Sequence, residues 1–266
     1  MNTMVPPLDV SLLPSGIRYL LTDVDDTITT GGKLLPQTLQ ALYDLQDAGI
    51  RVIPVTGGCG GWCDQIMRLW PVDAVIGENG AFHMQLNSEG QLQLHSWHEE
   101  AERHAYQKRL LALTSNLKCI IPEIKLAKDQ AYRLADVALD YRQDGCLTPD
   151  QITQVVTFFQ SQGANARVSS IHINAWFGEY SKLAMARRLL QNKYQLSDTE
   201  MVEQVAYVGD SPNDEVMFGF FRHTFGVANI QPYLAQMTDH PNTILSQPGG
   251  LGFAELAHLL LQTQTA

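Results

Sequence analysis

The feature that most constrains this chain is a rhythm of short apolar runs alternating with helical patterns, broken in the middle and then resumed. From Tyr19 the run YLLT reads as a buried strand, and a helix opens near Pro36 and runs through QTLQALYDLQDAG to Gly49. IRVIPVTGG follows as a second strand ending in a glycine-rich turn, GWCDQIMRLW as a helix, and VDAVIGENGAF as a third strand. A β-α-β-α-β series builds a parallel sheet with helices on both faces. After Ser181 the rhythm returns with helix KLAMARRLLQNKY, strand QVAYVGD, helix NDEVMFGFF, a short strand at TFGVA and a final helix GFAELAHLLLQ.

The segment between has a different character. FHMQLNSEGQLQLHSWH alternates and turns at Ser88-Glu89-Gly90 as an antiparallel hairpin, and a polar helix of roughly residues 98–115 follows. YRLADVALDYR and ARVSSIHINAWF read as two strands flanking the helix TPDQITQVVTFFQSQG. The expectation is an α/β protein: residues 1–83 and 177–266 form a doubly wound parallel-sheet core, and residues 84–176 are an inserted α+β module.

Composition removes several classes of function. A formal charge of −10 over 266 residues, with no Lys/Arg cluster, argues against a nucleic-acid partner. No apolar run reaches the length of a membrane span, and MNTMVPPLDVSLLPSG lacks the basic start and apolar middle of a signal peptide, so no membrane partner and a cytoplasmic location are expected. Cys59, Cys63, Cys119 and Cys146 are few and unevenly spaced, which suits reduced thiols. Trp62, Trp70 and Phe82 are expected in the core, and nothing separates a monomer from a homodimer.

The chemistry is concentrated where strands end. In a doubly wound sheet, ligands bind outside the carboxyl ends of the strands. Asp23, Asp25 and Asp26 follow the first strand, Thr56 and Gly57 the second, and Asp210, Asn213 and Asp214 the strand QVAYVGD, while Lys182 opens a helix. Carboxylates this close repel one another, and burial would raise their pKa values unless a cation sits among them. Asp23 and Asp210 are candidates to share a hard divalent cation, Mg2+ first, which prefers oxygen ligands. That cation and Lys182 would neutralise the acids.

These residues carry a resemblance. LLTDVDDTIT resembles the first motif of the haloacid dehalogenase (HAD) superfamily, VIPVTG its second, Lys182 in YSKLAMARRLL its third and YVGDSPNDEVMF its fourth. VIGENGAF and GGLGFAELAHLL further resemble the Cof-type, type IIB phosphatases, whose cap is inserted between the second and third motifs. The resemblance implies a HAD-like Rossmannoid core with a type IIB cap, and a Mg2+-dependent hydrolase acting on a small phosphomonoester, a sugar phosphate or related metabolite. It implies Asp23 as nucleophile forming an aspartyl-phosphate, with Asp25 as general acid and then base. Mg2+ would be held by Asp23, the Asp25 carbonyl and Asp210; Asp214 would orient Lys182 or a metal-bound water, or itself coordinate. Thr56, the Gly57 amide, Lys182 and Asn213 would hold the phosphoryl oxygens. A sugar phosphomutase of the same superfamily and a non-catalytic binding module are the alternatives.

Two positions depart from the family pattern. Gly58 stands where many relatives have Arg, and Asp26 where many have Gly; the Asp26 amide is expected to serve phosphate while its side chain turns outward. Type II caps supply substrate contacts, which makes Arg133, Arg142, His172, Asn174 and Trp176 the candidates for specificity.

Overall fold

The computed structural model describes residues 16–169 and 171–264, so the N-terminal stretch read above for the absence of a leader lies outside the described residues. The chain begins with β1 (Tyr19–Thr22), a small hairpin β2 (Thr29–Thr30) and β3 (Lys33–Leu34), α1 (Pro36–Asp47), β4 (Arg51–Pro54), α2 (Gly60–Leu69) and β5 (Val75–Gly77). A second hairpin, β6 (Phe82–Leu86) and β7 (Leu92–Ser96), leads to α3 (Glu100–Lys118), β8 (Lys125–Leu126), β9 (Val137–Asp140), α4 (Pro149–Ser161), β10 (Asn165–Val168) and β11 (His172–Trp176). The remainder comprises α5 (Lys182–Tyr194), α6 (Asp198–Gln204), β12 (Val205–Gly209), α7 (Glu215–Phe218), β13 (His223–Gly226), β14 (Thr243–Ile244) and α8 (Gly249–Gln264).

The main sheet is parallel throughout, in the order β14-β13-β12-β1-β4. Its central strand pairs Tyr19 with Val205 on one side and with Arg51 on the other, and all four β1 residues are buried, as a strand covered on both faces requires. Leu20, Val52, Val208 and Phe225 meet α1 and α8, while Leu21, Ile53 and Tyr207 pack with α5, α6 and α7. Two apolar layers therefore grip one sheet, which is the doubly wound α/β fold expected from the rhythm of the sequence.

A single parallel bridge, Val55 to Ile76, extends this sheet to β5, and β5, β6 and β7 continue antiparallel. VIGENGAF was expected as one strand. It reverses instead: Glu78 and Asn79 adopt left-handed φ values of 46° and 57°, and the chain returns as β6. The expected boundary at residue 84 thus falls inside β6. ARVSSIHINAWF, also read as one strand, is the β10-β11 hairpin. SDTEMVEQ, not assigned above, is α6, opened by a reciprocal capping box between Ser197 and Glu200.

The inserted part is a four-stranded antiparallel sheet, β10-β11-β9-β8, covered on one face by α3 and α4. Ile173 and Ala175 point into that helical layer, so His172, Asn174 and Trp176 occupy the opposite face. A separate apolar cluster joins Trp176, Tyr180 and Ala135 to Val24, Cys63, Phe82 and Met84 and fastens this sheet over the core. No helix among the described residues is long and apolar enough to cross a membrane.

Candidate active site

Three loops at the carboxyl ends of parallel strands and the first turn of α5 meet at one point. Asp23 leaves β1 with its amide donating to the Val208 carbonyl at 2.9 Å, which fixes its backbone against β12. Lys182, the first residue of α5 behind the cap Ser181, donates from Nζ to Asp23 Oδ1 at 2.7 Å and to Asp214 Oδ1 at 2.8 Å. Both ends of this triad are buried. Asp214 is fully engaged: the Tyr207 hydroxyl also donates to Oδ1, and the amides of Asp210 and Ser211 donate to Oδ2 at 3.0 and 3.3 Å.

Asp23, Asp210 and Asp214 each present an oxygen within 4.8 Å of the others, a cluster able to hold a metal ion. The donor set fits a hard cation. Among the described residues no hydrogen bond reaches Asp23 Oδ2, Asp210 Oδ1 or the Asp25 carbonyl, whereas both oxygens of Asp214 are spoken for. Asp214 holds Lys182 and the Asp210 loop through both oxygens and is at the same time one of the three carboxylates of the cluster. Electrostatics tell the same story. Burial pushes Asp23 up to about 8 against the pull of Lys182, with Asp214 and Asp25 adding repulsion. Burial and the charges of Asp23 and Asp214 hold Asp210 well above the carboxylate range, and burial with Asp26 raises Asp25. Burial alone would depress Lys182, but Asp214 and Asp23 outweigh it and hold the amine raised and charged.

The turn after β4 is built around one free donor. Thr56 donates its amide to Ile76 and accepts from Asn79 on its carbonyl; Gly58 donates its amide to Thr56 Oγ1 at 2.9 Å and accepts from Glu78 on its carbonyl; the Gly57 carbonyl accepts from Arg133 at 3.0 Å. The Gly57 amide alone donates to no described residue. Asn213 donates to the Asn79 side chain at 3.2 Å, bringing the β12 loop against this turn.

Asp26 differs in detail from expectation. Its side chain does turn away from the cluster, where Oδ1 accepts from Gly31, but its amide, expected to serve phosphate, donates to Thr29 Oγ1 at 3.1 Å. Its left-handed φ of 57° explains why glycine is the easier residue here.

The inserted sheet meets the site differently from the sequence reading. Arg133 is not open to a substrate anion, because its side chain is 1 % exposed and is saturated by Asp129, Asp136 and Gly57. Asn174 donates to Asp136 at 2.9 Å and belongs to the same buried network. His172 is buried beside it, with burial lowering its pKa. Arg142 is exposed in the loop after β9. A cleft of about 460 Å3 instead runs from Asn79, Lys182 and Asn213 to Asn165, Arg167 and Trp176. Asn165 and Arg167 alternate with the inward Ala166 on β10, so they face the cleft. An alternating edge strand carried that signal, but the single-strand reading of the hairpin obscured it.

Asn229 was also missed. Its Nδ2 donates to the Asp26 carbonyl at 3.1 Å and to Asp210 Oδ2 at 3.2 Å, while its Oδ1 accepts from Gly249 at the start of α8. It follows the end of β13, where the strand-end rule would have looked. Trp62, expected in the core, is 56 % exposed on the first turn of α2, whereas Phe82 is fully buried.

No family model matches this chain, and no curated protein matches it by sequence. Solved structures do match it over nearly its whole length. A HAD/COF-like hydrolase from Plasmodium vivax is 18% identical with a TM-score of 0.70, the likeness covering 96% of this chain and 99% of that one. A phosphatase of the haloalkanoate (HAD) superfamily from Bacteroides thetaiotaomicron is 17% identical with a TM-score of 0.60, over 98% and 100% of the two chains. A trehalose-6-phosphate phosphatase related protein is 14% identical with a TM-score of 0.62, over 93% and 98%. The chain thus has the HAD-like fold, a parallel-sheet core with a separate antiparallel sheet, and the resemblance read from the four motifs holds at the level of the fold.

Proposed function

We propose that this chain is a HAD-superfamily phosphatase of the Cof type, acting with Mg2+ on a small phosphomonoester. The observation that carries this reading is the state of Asp23. Its Oδ1 is pinned by Lys182 at 2.7 Å while its Oδ2 accepts from no described residue, and the Gly57 amide in the turn after β4 donates to none. A carboxylate held by one oxygen, with the other accepting from no described residue, suits attack on a phosphoryl group.

In this reading Asp23 attacks phosphorus in line and becomes the aspartyl-phosphate. The Thr56 hydroxyl accepts from Gly58, which leaves its proton to donate to a phosphoryl oxygen beside the Gly57 amide. Lys182 balances charge on Asp23 and on the transferring group. Asp25, whose pKa burial raises, would deliver a proton to the leaving oxygen and then take one from the attacking water. Asp23, the Asp25 carbonyl and Asp210 would hold Mg2+, which supplies charge neutralisation for the approach of one anion to another. The substrate class is inferred to be a sugar phosphate or related polyol phosphate, its leaving group lying toward Asn165 and Arg167, with residues 84–176 serving as the specificity cap.

The test is phosphate release from p-nitrophenyl phosphate with Mg2+, with EDTA, and with Asp23→Asn, followed by a panel of sugar and polyol phosphates. Turnover that needs the metal and is lost in the variant is expected. No turnover on any monoester, or activity that survives Asp23→Asn, would overturn the reading in favour of a mutase or a binding module.

A further inference from the structure

The turn Thr56-Gly57-Gly58 poses a physical problem. Two successive glycines give a backbone wide freedom, and a flexible amide is a poor phosphate donor because ordering it costs binding energy. With Gly58 in place of a larger residue, no side chain of the turn beyond Thr56 helps to fix it.

The amides of Asn79 and Glu78 hold the Thr56 and Gly58 carbonyls, which leaves the Gly57 carbonyl between them, and that is held from the cap. Arg133 Nη1 donates to the Gly57 carbonyl at 3.0 Å, and Thr56 Oγ1 accepts from the Gly58 amide at 2.9 Å, so the peptide plane between the two glycines is held at both edges. Arg133 is itself locked. Nε and Nη2 lie on Asp129 at 3.2 and 3.0 Å, Nη1 lies on both oxygens of Asp136 at 3.0 and 3.1 Å, and Asn174 holds Asp136 from β11.

Glu78 completes the clasp. Its Oε1 accepts from the amides of Gly60 and Leu134, and its Oε2 from those of Ala135 and Asp136, while its own amide donates to the Gly58 carbonyl. The glycines of GGCGG permit this approach: a Cβ on Gly60 would lie 2.8 Å from Leu134 Cγ, and one on Gly61 3.0 Å from Tyr132 Cβ.

We infer that Arg133 is a positioning residue for phosphoryl binding, a cap arginine that fixes the Gly57–Gly58 peptide, and with it the Thr56 hydroxyl and the backbone on the far side of the Gly57 amide, without touching the phosphoryl group. This rests on the phosphatase reading above. The consequence is that the cap governs affinity for the phosphoryl group itself and not only the choice of leaving group.

The experiment measures binding of inorganic phosphate and orthovanadate in the presence of Mg2+ by titration calorimetry, with turnover of p-nitrophenyl phosphate. Arg133→Lys keeps a charge between Asp129 and Asp136, but a single ammonium does not reproduce a fork reaching three acceptors. It should weaken both anions about tenfold and lower kcat by a similar factor, the loss expected when one charge-assisted hydrogen bond ceases to order the turn. Val155→Ala, in the apolar layer between α4 and the inserted sheet and outside this network, should lower Tm and leave anion affinity unchanged.

Wild-type affinity in Arg133→Lys, or equal weakening in Val155→Ala, overturns the inference. Should the lysine variant fail to fold, amide exchange on the unsubstituted protein decides: the Gly58 amide should be protected without ligand, and the Gly57 amide should become protected only with orthovanadate. Free exchange at Gly58 means that the turn is not preset. If the unsubstituted protein neither binds orthovanadate nor hydrolyses p-nitrophenyl phosphate, the phosphatase reading falls and this inference with it; normal binding with an indifferent Arg133→Lys defeats only the inference.

Discussion

Two buried clusters in this molecule each set three carboxylates around one cation, and they differ in how their oxygens are used. At the strand ends, Asp23, Asp210 and Asp214 surround Lys182, and one oxygen each of Asp23 and Asp210 accepts no hydrogen bond among the described residues. Under the cap, Glu78, Asp129 and Asp136 surround Arg133, and every one of their carboxylate oxygens accepts from a guanidinium or a backbone amide. Charge count alone does not separate them. A completed donor set makes a buried ionic cluster a structural joint, while an incomplete one leaves acceptors whose partner must come from outside the chain.

The sharpest way to break this comparison is to exchange the consequences. Asp25→Asn should cut turnover of p-nitrophenyl phosphate by roughly two to four orders of magnitude, the usual range for a lost general acid or base. Its thermal midpoint should stay near that of the unsubstituted protein, because no hydrogen bond to the Asp25 carboxylate is among those of the described residues. Glu78→Gln should do the reverse. A glutamine offers one acceptor where four amides converge, and breaking a buried charged network costs about 3–5 kcal/mol. Urea denaturation would measure it, and a Glu78→Gln protein as stable as its parent would end the distinction between joint and site.

Metal addition sharpens the same contrast with a smaller effect. A ligand that binds only the folded state stabilises it by about 2.7 kcal/mol at a hundredfold excess over its Kd. Mg2+ should therefore raise Tm of the unsubstituted protein and not that of Asp210→Asn. In EDTA the order should invert, with Asp210→Asn melting above its parent, since one buried like charge has been removed beside Asp23 and Asp214. A variant that melts lower in EDTA and still responds to Mg2+ would mean that the incomplete oxygens at the strand ends are not a cation site.

What the sequence disclosed follows the same division. Strand-end carboxylates are legible because the parallel-sheet pattern says where strand ends converge, and Asp23, Asp210, Asp214 and Lys182 do meet there. The joint was illegible. Arg133 and Glu78 lie 55 positions apart in the chain and meet only because Glu78 and Asn79 turn back with positive φ, a reversal hidden inside an apolar run that reads as one strand. Arg133 looked like a substrate ligand because an arginine in a cap has two uses, and only its donors' partners tell them apart. Tyr207, whose hydroxyl supports Asp214, is in sequence merely another large residue in a buried strand.

A third buried titratable group belongs to neither cluster and gives the smallest effect. His83 on β6 stacks on His95 with ring centroids 4.6 Å apart, and its Nδ1 has no hydrogen-bond partner among the described residues. Burial pushes its pKa down to about 3, and the groups that face it, His95, Arg188 and Lys193, all act in the same direction. Between the unfolded value near 6.5 and the folded value, the unfolded chain binds the proton and the folded chain does not, so stability falls as pH falls through that window. From pH 7.5 to pH 5 the loss attributable to this ring is at most about 2 kcal/mol. His83→Phe keeps a ring against His95 and removes the proton site, so its stability should change less between those two pH values than that of the parent. Equal acid sensitivity in the two proteins would mean that the His83 ring does not carry the loss; the buried carboxylates Asp23, Asp25, Asp210 and Glu78, all raised by burial, favour the folded state as pH falls and cannot supply it.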